Sequence, residues 1–104
     1  MNKNKLISEL TNILAVALRH KIGGMVNFNE IYAQKYSKDA DILMKEAEKI
    51  SLGKNWNMQD KIRIKERLKK KLKLELESKD FLDNKKFDIM NEEIEKTLKG
   101  LDLL

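Results

Sequence analysis

The chain has no cysteine and no proline, a single tryptophan, a single histidine and only 6% aromatic residues among its 104. Without cysteine there can be no disulfide framework, no thiolate metal site and no thiol nucleophile, and a reducing cytoplasm is the expected setting. No proline, internal repeat or low-complexity stretch divides the chain, apart from one run of lysines, so residues 1–104 read as a single domain. Long apolar runs are missing as well. The longest uninterrupted one spans Ile13 to Leu18, well short of the roughly 7–15 residues of a signal-peptide core or the ~20 of a spanning helix. The N-terminal segment therefore reads as a buried helix, and no membrane partner is expected.

Signs of catalysis are scarce too. There is no phosphate-binding glycine loop, no dinucleotide fingerprint and no nucleophile beside a base. The carboxylate pairs Asp39/Asp41 and Glu92/Glu93 sit at spacings that point in different directions on a helix. Asp80/Asp83 lies near Asn84 without the glycine and terminal glutamate of a calcium loop, and no Glu-x-x-His is present. The sequence thus points away from an enzyme and calls for no metal and no cofactor.

Charge and helical periodicity are plentiful. Charged residues make up 38% of the chain and apolar ones 41%, a balance that suits a helical protein with much surface for its core. Nineteen lysines against three arginines, with nine asparagines, match the usage of an AT-rich prokaryotic or phage genome.

Four helices are expected. In the first, about residues 4–22, Leu6, Leu10, Ile13, Leu14 and Ala17 form one stripe that Ile7, Leu18 and Ile22 widen, making it the central core helix. Gly23-Gly24 then reads as a left-handed C-cap. The second helix, about residues 28–52, opens on Asn27 and Glu30 spaced as a capping pair, with Val26 and Ile31 placed for a hydrophobic staple. Tyr32, Tyr36, Ala40, Leu43, Ala47 and Ile50 mark its apolar face, Gln34, Lys38, Asp41, Lys45 and Glu48 mark the other, and Gly53 ends it. The third helix, about residues 58–78, starts at an Asn57 cap with Asp60 three residues on. Its leucines alternate over Leu72, Leu74 and Leu76, as a strand would. The i, i+4 ladder Ile64, Leu68, Leu72, Leu76 and the dearth of β-branched residues decide for helix. The fourth helix, about residues 85–99, carries Phe87, Met90, Ile94, Leu98 and Leu101 on one face and stops at Gly100. The fold class is therefore all-α, a compact antiparallel bundle of three to four helices. Its apolar tail, Leu101 to Leu104, is placed to dock on the core or on a second copy as a homo-oligomer contact.

The basic charge is concentrated in one place. Lys61, Arg63, Lys65, Arg67, Lys69, Lys70, Lys71 and Lys73 stand against Glu66 alone, a formal charge of +7 in a molecule whose total is +5. On a helical wheel Arg63, Arg67, Lys70 and Lys71 share one side over two turns, a spacing suited to a phosphate backbone or an acidic groove. No aromatic residue is interleaved with them, which argues against stacking on single-stranded bases. A second, weaker anion site is suggested where Arg19, His20 and Lys21 precede Gly24 and the start of the second helix, whose free amides could hold a phosphate or carboxylate. The expected activity is binding of nucleic acid or a nucleoprotein through the basic helix. The alternative is a protein-interaction module, such as a phage-type or regulatory inhibitor, docking on an acidic partner surface.

Overall fold

Ile7, Leu10, Leu14, Leu18 and Ile22 lie along one side of the first helix and are all fully buried, and the rest of the bundle assembles around them. The computed structural model describes residues 2–26, 30–79 and 84–104. These residues form α1 (Lys3–Val26), α2 (Glu30–Leu52), α3 (Met58–Glu77), a single turn α4 (Lys85–Asp88) and α5 (Met90–Gly100), with no strand among them. No helix among the described residues is long and apolar enough to cross a membrane.

Helix α1 is central. It packs against every other helix, whereas α2 packs against α1 alone. Ala33 and Tyr36 of α2 abut Gly24 and Gly23 near the end of α1, while Lys49 and Ile50 share a groove with Glu9 and Ile13 near its start, so the two helices run antiparallel. Helix α3 runs parallel to α1: Lys3 bonds Asp60 at one end, Thr11 meets Lys71 further along and Arg19 meets Glu75 beyond that. Helices α4 and α5 return along α3, bringing Glu93 to Lys21 and Glu95 to Lys65. The direction is up, down, up, down, as the sequence leads one to expect.

Helix α3 begins with a complete capping box, Asp60 N–H donating to Asn57 Oδ1 at 2.8 Å and Asn57 N–H to Asp60 Oδ2 at 3.1 Å. Ile64, Leu68, Leu72 and Leu76 are fully buried, so the i, i+4 ladder and not the leucine alternation governs this segment. Trp56 closes the turn before it, its Nε1–H donating to the Ser51 carbonyl at 2.8 Å.

Several boundaries differ from expectation. Helix α1 continues through Gly23 and Gly24 to Val26, and no glycine has positive φ. These glycines serve close approach instead: a Cβ on Gly23 would lie 3.1 Å from the Tyr36 ring, and one on Gly24 would lie 3.3 Å from the Ala33 carbonyl oxygen. The Asn27 cap falls outside the described residues, as do the Tyr32 side chain and most of the connection after α3. Ile31, expected to form a staple with Val26, exposes most of its side chain.

The fourth helix is divided at Ile89. On an unbroken helix Phe87 and Ile89 would project about 200° apart, and the break turns both toward the core, which Met90 also joins. Gly100 does not stop α5. The left-handed residue is Asp102, at φ 61°, and the bonds Leu103 N–H to Leu98 O (2.8 Å) and Asp102 N–H to Lys99 O (3.1 Å) form a Schellman motif. That motif folds Leu103 into the protein's own core, so the tail is engaged within the molecule and leaves Leu104 exposed.

Candidate nucleic-acid interface

Because Ile64, Leu68, Leu72 and Leu76 face α1 and α5, helical geometry turns residues 63, 66, 70, 73 and 74 outward and sets 62 and 69 at the border, and all of these are exposed. The eight cations of residues 61–73 then divide into two groups.

Two are drawn into the fold. Lys71 is half-buried, its Nζ donating to Thr11 Oγ1 at 2.7 Å and to the Ser8 carbonyl at 3.1 Å. Burial, reinforced by the charge of Arg67, holds its amine below the usual lysine range. Lys65 stands 3.5 Å from Glu95 of α5. The other six remain available. Arg63 is exposed and donates to the neutral Asn4 Oδ1 at 2.6 Å. Lys61, Arg67, Lys69, Lys70 and Lys73 have no carboxylate partner among the described residues. Of the row Arg63, Arg67, Lys70 and Lys71, the first three face solvent or its border and Lys71 turns inward. Lys69 and Lys73 complete the outer face in its place. Two apolar side chains interrupt it, Ile62 at 46% and Leu74 at 61% exposure.

The second expected site does not assemble. Arg19 lies 3.3 Å from the His20 ring and pairs with Glu75 of α3 (3.6 Å), and His20 Nε2 lies 3.7 Å from Asp39 of α2, whereas Lys21 turns to Glu93 of α5 (2.9 Å), so each side chain is engaged by a carboxylate of a different helix. His20 also donates from Nδ1 to the Val16 carbonyl at 2.8 Å and meets the Tyr36 ring edge-on at 5.8 Å. Gly24 lies within α1, and residues 27–29, which lead into the second-helix start whose amides the anion reading invoked, fall outside the described residues. No group of three histidine, aspartate or glutamate side chains among the described residues is placed to hold a metal ion.

No family model, curated protein or solved structure matches this chain. The interface therefore has to be judged on its own chemistry.

One charged surface escapes a reading based on charge density alone. Lys35, Lys38, Lys45 and Lys49 of α2 are all exposed, and none has an ion-pair partner among the described residues. Carboxylates at Asp39, Asp41, Glu46 and Glu48 cancel their charge along the sequence, so no basic run stands out. The signal is their spacing of three, seven and four residues, which keeps them on one side of the helix and has meaning only once Ala40 and Ala47 are known to face α1.

Proposed function

We propose that this protein binds nucleic acid through the outward side of α3, acting as a binding factor and not as a catalyst. The observation that carries the reading is Arg67, Lys70 and Lys73 on that side with exposed Lys69 at its border: four cations within two turns, none neutralised by a carboxylate among the described residues, with Glu66 the one acid beside them. A helix of about 10–12 Å diameter fits the ~12 Å major groove of a duplex or can lie along its backbone. Lysine and arginine with no amide side chain among them supply phosphate contacts more than base reading, so the binding is expected to be largely sequence-independent. The absence of cysteine suits a cytoplasmic setting for such a factor.

Titration with duplex DNA and with RNA over a range of salt tests this. Each phosphate contact contributes about 0.9 to the slope of log K against log salt on duplex DNA, so replacing Arg67, Lys69, Lys70 and Lys73 with Gln should lower that slope by up to about 3–4. Gln keeps helix propensity nearly constant, so the variant should stay folded. A wild type with no salt-dependent binding at low ionic strength would falsify the proposal. The exposed Ile62 and Leu74 on the same face favour a second reading, docking on an acidic protein surface that also offers apolar contacts.

A further inference from the structure

Helix α2 repeats every seven residues on two opposite sides. Ala33, Ala40 and Ala47 face α1, the last two fully within the interface. On the far side Lys35, Lys38 and Lys45 fall on one line with Ile42 between them, Lys49 continues it while also bordering the groove shared with Glu9 and Ile13 of α1, and Ile31 and Leu52 extend it at either end. The steps between successive positions from 31 to 52 are four, three, four, three, four and three, so these residues form one unbroken stripe along the helix. The apolar members are unusually open for their type: Ile31 is 78% exposed, Ile42 60% and Leu52 84%. Asp39 and Glu46 flank the line on one side, Asp41 and Glu48 on the other. Among the described helices only α1 packs against this one.

We infer that the outer side of α2 is a docking seam for an acidic helix of another protein. A duplex would meet the flanking carboxylates Asp39, Asp41, Glu46 and Glu48 unfavourably. A facing helix matches all three features if it carries carboxylates opposite the lysines, an apolar side chain opposite Ile42, and basic residues on its own flanks. A second copy of this chain does not match. Antiparallel pairing centred on Ile42 would set Lys35 against Lys49 and Lys38 against Lys45, and parallel pairing would set each lysine against itself. The seam spans about 32 Å at 1.5 Å per residue, enough for six turns of partner helix.

The α2 seam lies away from the candidate nucleic-acid face. On α1 the residues meeting α2 (Ile13, His20, Gly24) and those meeting α3 (Asn4, Ser8, Thr11) are about 170° apart at 100° per residue. The inference therefore stands independently of what α3 binds.

Two fluorescent helical peptides of about 21 residues serve as probes, measured without nucleic acid by polarisation. One carries Glu in the seam and Lys on the flanks, and the other has these charges exchanged. The wild-type protein should prefer the acidic-seam peptide by about thirtyfold, the sum of four exposed ion pairs of ordinary strength. Replacing Lys35, Lys38, Lys45 and Lys49 with Gln should cut that preference severalfold, leaving only the share that Asp39, Asp41, Glu46 and Glu48 contribute through the peptide flanks, and replacing them with Glu should lower it further. Circular dichroism checks that both variants stay helical, and the Gln variant keeps the test decisive if the Glu variant unfolds. Equal or absent binding of the two peptides by wild type overturns the inference. So does a preference that the Gln changes on α2 leave undiminished, or one that disappears when Arg67, Lys69, Lys70 and Lys73 are changed instead.

Discussion

Lys71 Nζ stands 2.7 Å from Thr11 Oγ1 and 3.1 Å from the Ser8 carbonyl, so a residue from the middle of the basic run ties α3 to α1. Thr11 Oγ1 in turn donates to the Ile7 carbonyl at 2.7 Å, which leaves the hydroxyl lone pairs free for the lysine. Replacing Lys71 with Met should lower stability by about 1 kcal/mol, the low end for a hydrogen bond to a charged group that is half-exposed. Lys70→Gln, on the open side, should stay within about 0.5 kcal/mol of wild type. For nucleic acid the order reverses: Lys70→Gln should flatten the salt dependence and Lys71→Met should leave it nearly unchanged. Denaturant melts and salt titrations of the two variants check both statements.

The same lysine predicts a pH effect. Its folded pKa lies below its unfolded value, so below the folded pKa both states are protonated and the cost of partly burying the charge is carried in full. As pH rises through the folded pKa toward 10.5, the unfolded chain binds more protons than the folded one. The stability of wild type relative to Lys71→Met should therefore improve over that alkaline range, as paired chemical melts would show.

Asp60 gives the complementary acid-side prediction. The hydrogen bond from Lys3 (2.7 Å), followed by that from the Asn57 backbone, holds its carboxyl below the usual 3.8. A depressed carboxylate contributes stability that is complete above the unfolded pKa and is lost as pH falls through the folded one. The gap between wild type and Asp60→Asn should be constant from neutral pH down to about 5 and should close in more acid solution. A gap that stays fixed down to about pH 2 would mean that the ion pair with Lys3 is not formed in solution.

Three glycines and one aspartate should respond in different directions. Gly100 lies in α5 with nothing within 4 Å of a Cβ, so Gly100→Ala should gain about 0.5–1 kcal/mol. Asp102→Gly, at φ 61°, relieves a left-handed strain of about 1–2 kcal/mol at a smaller entropic cost and should also stabilise. Gly24→Ala should cost about 1–3 kcal/mol, because its new methyl meets a backbone carbonyl that can move only with α2. Gly23→Ala should fall between these, since the neighbour there is the Tyr36 ring, which can tilt. Thermal melts of the four variants, compared in one buffer, give the order directly.

These contrasts show why some features were legible in the sequence and others were not. The Asn57–Asp60 box is a code three residues long, and the Ile64–Leu76 ladder is a single periodicity, so both are readable without a tertiary neighbour. A glycine near a helix end is ambiguous. Positive φ and close packing both demand it, and only the position of Tyr36 decides for packing at Gly23. The left-handed role of Asp102 depends on Leu103 reaching the core, which no local propensity encodes. Charge density located the basic helix, but Lys71 meets its partners 60 and 63 residues away in sequence and Lys65 meets Glu95 in another helix. Which cations stay free is thus a tertiary property. So is the lysine line on α2, visible as a spacing yet meaningless until its Ala40 and Ala47 side is fixed.

The last prediction concerns a buried charge. Glu93 is almost fully enclosed at the start of α5, with Oε1 2.9 Å from Lys21 Nζ in an ion pair that lacks hydrogen-bond geometry, and Oε2 3.6 Å from Lys96. Its place in the first turn also sets it against the positive end of the helix dipole. Removing Lys21 would leave a buried carboxylate with a distant, exposed cation as its main compensation, so Lys21→Met should cost about 2–3 kcal/mol, below the full penalty for breaking a buried pair because Lys96 remains. Removing both charges should cost less than removing one, since two apolar side chains can fill the same contact between α1 and α5. A double-mutant cycle of Lys21→Met and Glu93→Leu, followed by denaturant melts, should therefore show a coupling of at least about 1 kcal/mol with the double variant more stable than Lys21→Met alone. Additive losses would mean that Glu93 is solvated in solution and that α5 is held against α1 by Ile94, Leu98 and Leu103 without help from charge.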